Sequence, residues 1–175
     1  MDKVAEFYEQ YPYPSVEHLG KKALEEYANR VLVCASLTTK QLKGKTVLDA
    51  GCGTGEITCS IATHAQRAMG ADISRASLEK ARALAKENNL TNVEFVQRDI
   101  LRVYPHEKWD MVTSFGALHH TTHPQKGFEI LARSVRRNGI LVIGFYHPWG
   151  GIWQRMEKAC VGALARSPEE KISFL

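Results

Sequence analysis

Gly51, Gly53 and Gly55 stand at alternate positions directly behind a short apolar run that carries an acid, Val47-Leu48-Asp49-Ala50. Glycine lacks a Cβ and tolerates positive φ, so a turn built this way lets the backbone lie close against a ligand. The pattern reads as a strand, a tight turn and a helix start facing a nucleotide-like cofactor. Two cofactor classes compete for such a turn. A dinucleotide site wants G-x-G-x-x-G, whose third glycine lets the helix pack on the strand while its N-terminus faces a pyrophosphate. Here the spacing is G-x-G-x-G, and Glu56 takes the position that the dinucleotide pattern reserves for glycine. A carboxylate at that point repels a pyrophosphate. Asp49 near a strand tip suits a cationic or amine-bearing ligand. Both residues favour a cofactor without phosphates that carries positive charge.

Further acids follow at Asp72, in Gly70-Ala71-Asp72-Ile73-Ser74, and at Asp99, in Gln97-Arg98-Asp99-Ile100. Alone, such an acid is often a helix cap, a part that Ser74 or Asp72 could play for the next helix. Past them comes Gly116-Ala117-Leu118-His119-His120, with His123 close behind. No acid or cysteine completes a ligand set in that loop, so no metal is expected. His119 and His120 are instead catalytic candidates, since a neutral imidazole can take a proton from an acceptor hydroxyl or carbon acid. There is no G-x-S-x-G elbow and no pair of catalytic carboxylates.

These residues need strand tips to hold them, and the chain supplies five. The pattern predicts strands at Thr46–Ala50, Ala68–Asp72, Val93–Gln97, Trp109–Ser114 and Gly139–Tyr146. Helices are predicted near Val16–Leu37, Gly55–Ala65, Ser77–Asn88 and Gln125–Arg136. The strands are apolar runs rather than alternations, as expected where helices cover both faces of a parallel sheet. Strand–helix alternation with right-handed crossovers gives an α/β fold with an open, doubly wound, mostly parallel sheet of about five strands. Ligands bind such sheets beyond the carboxyl ends of the strands, where the glycine turn lies.

The stretch Asp49-Ala50-Gly51-Cys52-Gly53-Thr54-Gly55 resembles the first motif of class I S-adenosylmethionine-dependent methyltransferases. The resemblance continues in order through Gly70–Ser74, Gln97–Ile100, Trp109–Ser114, the "LHH" of Leu118-His119-His120 and Asn138-Gly139. It implies a Rossmann-like fold and S-adenosylmethionine as cofactor. Asp72 would hold the two ribose hydroxyls, a charge-assisted pairing. Asp99 would take the adenine amino group and Ile100 would pack on the ring. Asp49, Gly51, Cys52, Gly53, Gly55, Ile73 and Phe115 complete the cofactor contacts that the resemblance implies. The "LHH" form is common among small-molecule enzymes of the quinone-biosynthesis type, so a small-molecule methyl acceptor is expected. Phe7-Tyr8-Glu9-Gln10-Tyr11-Pro12-Tyr13-Pro14 resembles the opening of a subset of these enzymes. There Tyr8 and Tyr13 could meet the sulfonium with their ring faces, while the arm excludes water; packing of the tyrosines on the outer sheet is the competing expectation.

Composition sets the outer limits. The 175 residues suffice for one domain with a sizeable core. At 44% hydrophobic and 24% charged they describe an ordinary globular protein. A net charge of +4, with no basic block, gives no clear nucleic-acid signal. Four cysteines without a CxxC pair fit a reduced intracellular chain. No signal peptide is evident and no run of 18 apolar residues occurs, so no membrane role and a cytoplasmic location are expected. Residues 1–40 are read as an aromatic arm and helix, and 41–175 as the cofactor-binding domain. After Tyr146 the tail reads as a loop, a helix near Ile152–Leu164 and a helix start at Ser167-Pro168. It offers no final strand hairpin, which the family usually has, so the chain is expected to be C-terminally truncated. Strand 5 would then present an apolar edge open to a homodimer. Two other functions compete: a non-catalytic cofactor-binding or interaction module, and an RNA or protein methyltransferase. Ser114-Phe115-Gly116-Ala117 lacks the Asn/Asp-Pro-Pro-aromatic pattern of amino-base methylation.

Overall fold

The computed structural model describes residues 9–10, 19–102 and 108–145. Two compact units divide the chain, Met1–Gly144 and Phe145–Leu175, and the described helices and strands all belong to the first. Tyr8, Tyr13, Tyr146 and the tail helices expected from the sequence lie outside the described residues.

Five strands build one sheet: β1 Thr46–Ala50, β2 Arg67–Asp72, β3 Val93–Gln97, β4 Trp109–Phe115 and β5 Val135–Gly144. Their order is β3-β2-β1-β4-β5, and every pairing among them is parallel. Four helices accompany them: α1 Lys21–Cys34, α2 Glu56–Ala62, α3 Arg75–Glu87 and α4 Pro124–Ser134. The doubly wound fold expected from the sequence is the fold observed.

Successive β1 residues serve opposite faces, which is why the strand reads as an unbroken apolar run. Val47 joins Met111 and Val142 in a cluster with Val31 and Leu32 of α1 and Ile61 of α2. Leu48 and Ala50 join Met69, Ala71 and Val112 in another, which includes Leu131 of α4. Ser74 caps α3 by accepting from Ser77 N–H at 3.2 Å, and Leu78, Ala81, Leu84 and Ala85 form its buried stripe. Pro124 opens α4, where its missing N–H has no helical partner to lose. Opposite the site, Asp110 accepts from Thr46 N–H at 2.8 Å and from Arg136 at 3.1 Å, tying β1, β4 and β5 together. Slight burial works to raise its carboxyl, but the Thr46 bonds and Arg136 outweigh that and hold it below the usual range.

Strand β5 differs from expectation at its start. It begins at Val135, and its register with β4 jumps from Trp109↔Val135 to Met111↔Ile140. Asn138 at φ 64° makes the irregularity. The irregularity is carried inside the paired strand as a local distortion. α1 likewise ends at Cys34, short of Leu37, where Ser36 adopts φ 54°.

No helix among the described residues is long and apolar enough to cross a membrane.

Gly55 ties the turn after β1 to α3. Its φ is 86°, and a Cβ there would stand 2.6 Å from Ala81 Cβ. Gly55→Ala should therefore lower unfolding free energy by about 2–5 kcal/mol, combining left-handed strain with overpacking. In a denaturation double-mutant cycle, Ala81→Gly should recover the packing share alone; strictly additive losses would contradict the contact.

Candidate functional site

Strand order reverses between β1 and β4, and in sheets of this kind the carboxyl ends at such a reversal are where a ligand binds. The turn leaving β1 lies there. Gly51 N–H and Cys52 N–H both donate to Ala71 O at the end of β2, at 2.7 and 3.0 Å. The three glycines adopt φ of 76°, 52° and 86°, yet they do different jobs. A Cβ at Gly51 would meet Ala117 Cβ at 2.1 Å, with Ile100 Cδ1 at 3.4 Å. Gly51 and Gly55 are thus demanded by the protein's own packing. At Gly53 a Cβ would meet nothing within 4 Å among the described residues, as suits a ligand-facing turn.

Asp72 turns its carboxylate back onto this turn. Oδ2 accepts from Gly53 N–H at 2.8 Å and Oδ1 from Ser74 N–H at 2.9 Å. Both oxygens are oriented by backbone, and each keeps a lone pair for a further donor. Burial raises its carboxyl above the ordinary value, while the N–H groups of Ser74, Gly53 and Ile73 pull the other way. Ser74 is the residue that caps α3, while Asp72 accepts from the turn and from Ser74 N–H. Ile73 O accepts from Gln97 Nε2 at 3.0 Å, tying the β2 tip to that of β3. Asp99 lies next on the β3 side, its Oδ1 accepting from Leu101 N–H at 2.8 Å, and Ile100 is buried against Gly51. The structure therefore brings Gly51, Gly53, Asp72, Asp99 and Ile100 to one end of the sheet.

Asp49 is placed less openly than its position in the sequence suggests. It is 2% exposed, and accepts from Thr58 Oγ1 of α2 at 2.6 Å and Thr113 Oγ1 of β4 at 2.9 Å. Burial lifts it to about 6 against those two hydroxyls, with the negative charges of Asp72 and Glu56 adding to the rise. Thr58 and Thr113 were not legible as site residues, because only folding sets them on Asp49. Glu56 begins α2 and accepts from Thr54 Oγ1 at 2.8 Å. Cys52 lies beneath the turn: a Cβ on Gly70 would come within 2.9 Å of its Sγ, and burial pushes its thiol well above the ordinary value.

His119 and His120 occupy a 3-10 turn, Leu118–His120, after β4. Their ring centroids are 4.1 Å apart; His119 is half-buried and His120 exposed. A surface hollow of about 540 Å³ opens just beyond, lined by Thr122, His123, Pro124, Gln125, Lys126 and Glu129. Phe115 ends β4 with its ring against Gly144, packed beside the Val47–Ile61 cluster. Among the described residues no cluster of three His, Cys, Asp or Glu could hold a metal.

The buried Asp49 gives a pH prediction. Its folded value lies above the unfolded one, so its contribution is full at low pH and is lost as pH rises through about 6. Asp110, shifted the other way, contributes above its unfolded value and loses that as pH falls. Comparison with Asp49→Asn isolates the first effect. Between about pH 4 and pH 7.5 the variant's stability relative to wild type should rise by on the order of 3 kcal/mol. A difference independent of pH in chemical denaturation would show that Asp49 titrates normally.

Comparison with known proteins completes the site. Residues 41–166 match the family model described as a methyltransferase domain. An uncharacterized methyltransferase, YcgJ of Bacillus subtilis, is 29% identical over 104 residues, covering 58% of this chain and 41% of that protein. Its crystal structure matches at TM-score 0.60 and 22% identity, over 79% of this chain and 58% of that one. A ubiquinone biosynthesis O-methyltransferase of Coxiella burnetii is 31% identical over 101 residues, covering 57% of this chain and 43% of its own. Coclaurine N-methyltransferase, solved with N-methylheliamine and SAH, shares the fold at TM-score 0.59 and 21% identity, over 75% of this chain and 38% of its own. The chain thus spans about two fifths of the length of the two sequence relatives named. Because the family model covers well over half of its residues, the chain belongs to the methyltransferase domain family.

Proposed function

We propose that the site binds S-adenosylmethionine and that the protein transfers its methyl group to a small-molecule acceptor. The observation that carries this reading is the pairing of Asp72 with the open face of Gly53, at 2.8 Å. A carboxylate held by backbone N–H beside an unobstructed turn is suited to a ribose diol. Asp99 and Ile100, at the neighbouring tip, are suited to an adenine edge and face. Burial does most to raise Asp49, and the charges of Asp72 and Glu56 add to the rise; three acids gathered in this way favour a cation over a pyrophosphate. Relatives named for ubiquinone biosynthesis and for coclaurine support a small acceptor.

When bound, S-adenosylmethionine supplies an electrophilic methyl group on a sulfonium sulfur. Transfer makes one acceptor–carbon bond and breaks one sulfur–carbon bond. The residues of this chain need only align the acceptor, exclude water and, for a hydroxyl or carbon acid, receive one proton. His119 or His120 fills that last role in our reading. Tyr8 and Tyr13 contribute ring faces toward the cation, and Cys52, Gly51, Gly55, Ile73 and Phe115 shape or support the cofactor side. We assign residues 1–40 as arm and helix and 41–175 as the cofactor-binding domain. We also propose a cytoplasmic protein, and a homodimer through the outer edge of β5, which has no strand partner among the described residues.

Titration calorimetry with S-adenosylhomocysteine tests the cofactor side. Asp72→Asn should weaken binding about tenfold or more, as expected for losing a charge-assisted bond. Affinity within twofold of wild type would remove Asp72 from the site. On the acceptor side, turnover at saturating cofactor should fall about 10²-fold or more in the variant that removes the base, His119→Ala or His120→Ala. Unchanged turnover in both would end the general-base role.

A further inference from the structure

One contact reaches this site from outside the sheet. Glu9 Oε2 accepts from the backbone N–H of Arg75 at 2.9 Å, across 66 residues of sequence. Arg75 is the first residue of α3, where an unpaired N–H and the helix dipole both favour a carboxylate. Its own guanidinium is engaged with Glu79 at 3.2 Å, so Glu9 addresses the backbone and not the side chain. The residue before Arg75 is Ser74, whose N–H is the one that Asp72 Oδ1 accepts. Glu9 therefore ends three residues from the carboxylate assigned to the ribose. The other polar anchors of this segment, Gly53 N–H, Ser77 N–H and Gln97 Nε2, come from the turn, α3 and β3. Among the described residues, Glu9 is the anchor that comes from the N-terminal arm.

We propose that Glu9 is a positioning residue for the cofactor site, its contact with the first turn of α3 at the ribose end and cofactor binding strengthening each other. This rests on the cofactor reading above. Glu9 fixes the first turn of α3, and with it the backbone that aims Asp72. Linkage is reciprocal: whatever the Glu9–Arg75 contact adds to cofactor affinity, bound cofactor returns to that contact.

The test uses the full chain, with S-adenosylhomocysteine as the probe. Glu9→Ala should bind it about three- to tenfold more weakly, the range expected for one capping carboxylate. Glu9→Gln, which keeps an acceptor, should lose less. Arg75→Ala, which keeps the N–H, should bind like wild type. Saturating ligand should slow chymotrypsin cleavage at Phe7 and Tyr8 in wild type, and do so less in Glu9→Ala. A contact that only stabilises the helix would lower the melting temperature yet leave affinity and ligand protection unchanged, and that result overturns the proposal. If wild type binds no S-adenosylhomocysteine, the cofactor reading fails separately. The contact is then read from ligand-free cleavage, faster in Glu9→Ala if it exists and equal to wild type if it does not.

Discussion

Three successive departures to positive φ, at Gly51, Gly53 and Gly55, constrain everything around the end of β1. The chain must turn within five residues from the centre of a parallel sheet into α2, with β2 on one side and β4 on the other. Gly51 is pressed so closely against Ala117 that no side chain fits, and Gly55 is pressed as closely against Ala81. Those two contacts fix how the β4 loop and α3 approach the turn. Gly53, between them, has no such neighbour among the described residues, and its N–H is turned toward Asp72. Packing thus accounts for the outer glycines, and open space beside an oriented carboxylate for the middle one.

Electrostatics builds on that frame. Burial does most to raise Asp49, and Asp72 and Glu56 lie close enough to add to it, a cost that the hydroxyls of Thr58 and Thr113 reduce. A fold assembled for stability alone would gain by replacing such a carboxyl with an apolar residue. Acids gathered at the glycine turn fit a site made for a positive group. Asp110 offers the contrast at the other end of the sheet. It is bonded to Thr46 and Arg136 on neighbouring strands and is held low, as a structural carboxylate is.

How much of this was legible in the sequence depended on whether the deciding contact was local. β1 and β3 fall at the residues expected, since each is an apolar run closed by glycine or polar residues. The glycine spacing and the acids at 72 and 99 pointed to the right end of the sheet because they follow strand tips directly. The start of β5 was misplaced because Asn138 reads as a turn, whereas in the fold its distortion is carried inside a paired strand. The burial of Asp49 could not be read, because Thr58 sits one helix away and Thr113 three strands later. Glu9 was hidden for the same reason: nothing near it in sequence marks Arg75 as its partner.

The central claim, that the turn at residues 51–55 and the tips of β2 and β3 form one cofactor site, is tested most directly by amide resonances. A ¹⁵N-labelled full-length chain would be titrated with S-adenosylhomocysteine. The account predicts the largest shifts at Gly51, Gly53 and Gly55, at Asp72–Ser74 and at Asp99–Ile100, saturating together with one affinity. Shifts concentrated instead in the hollow at Thr122–Glu129, or none at saturating ligand, would contradict it.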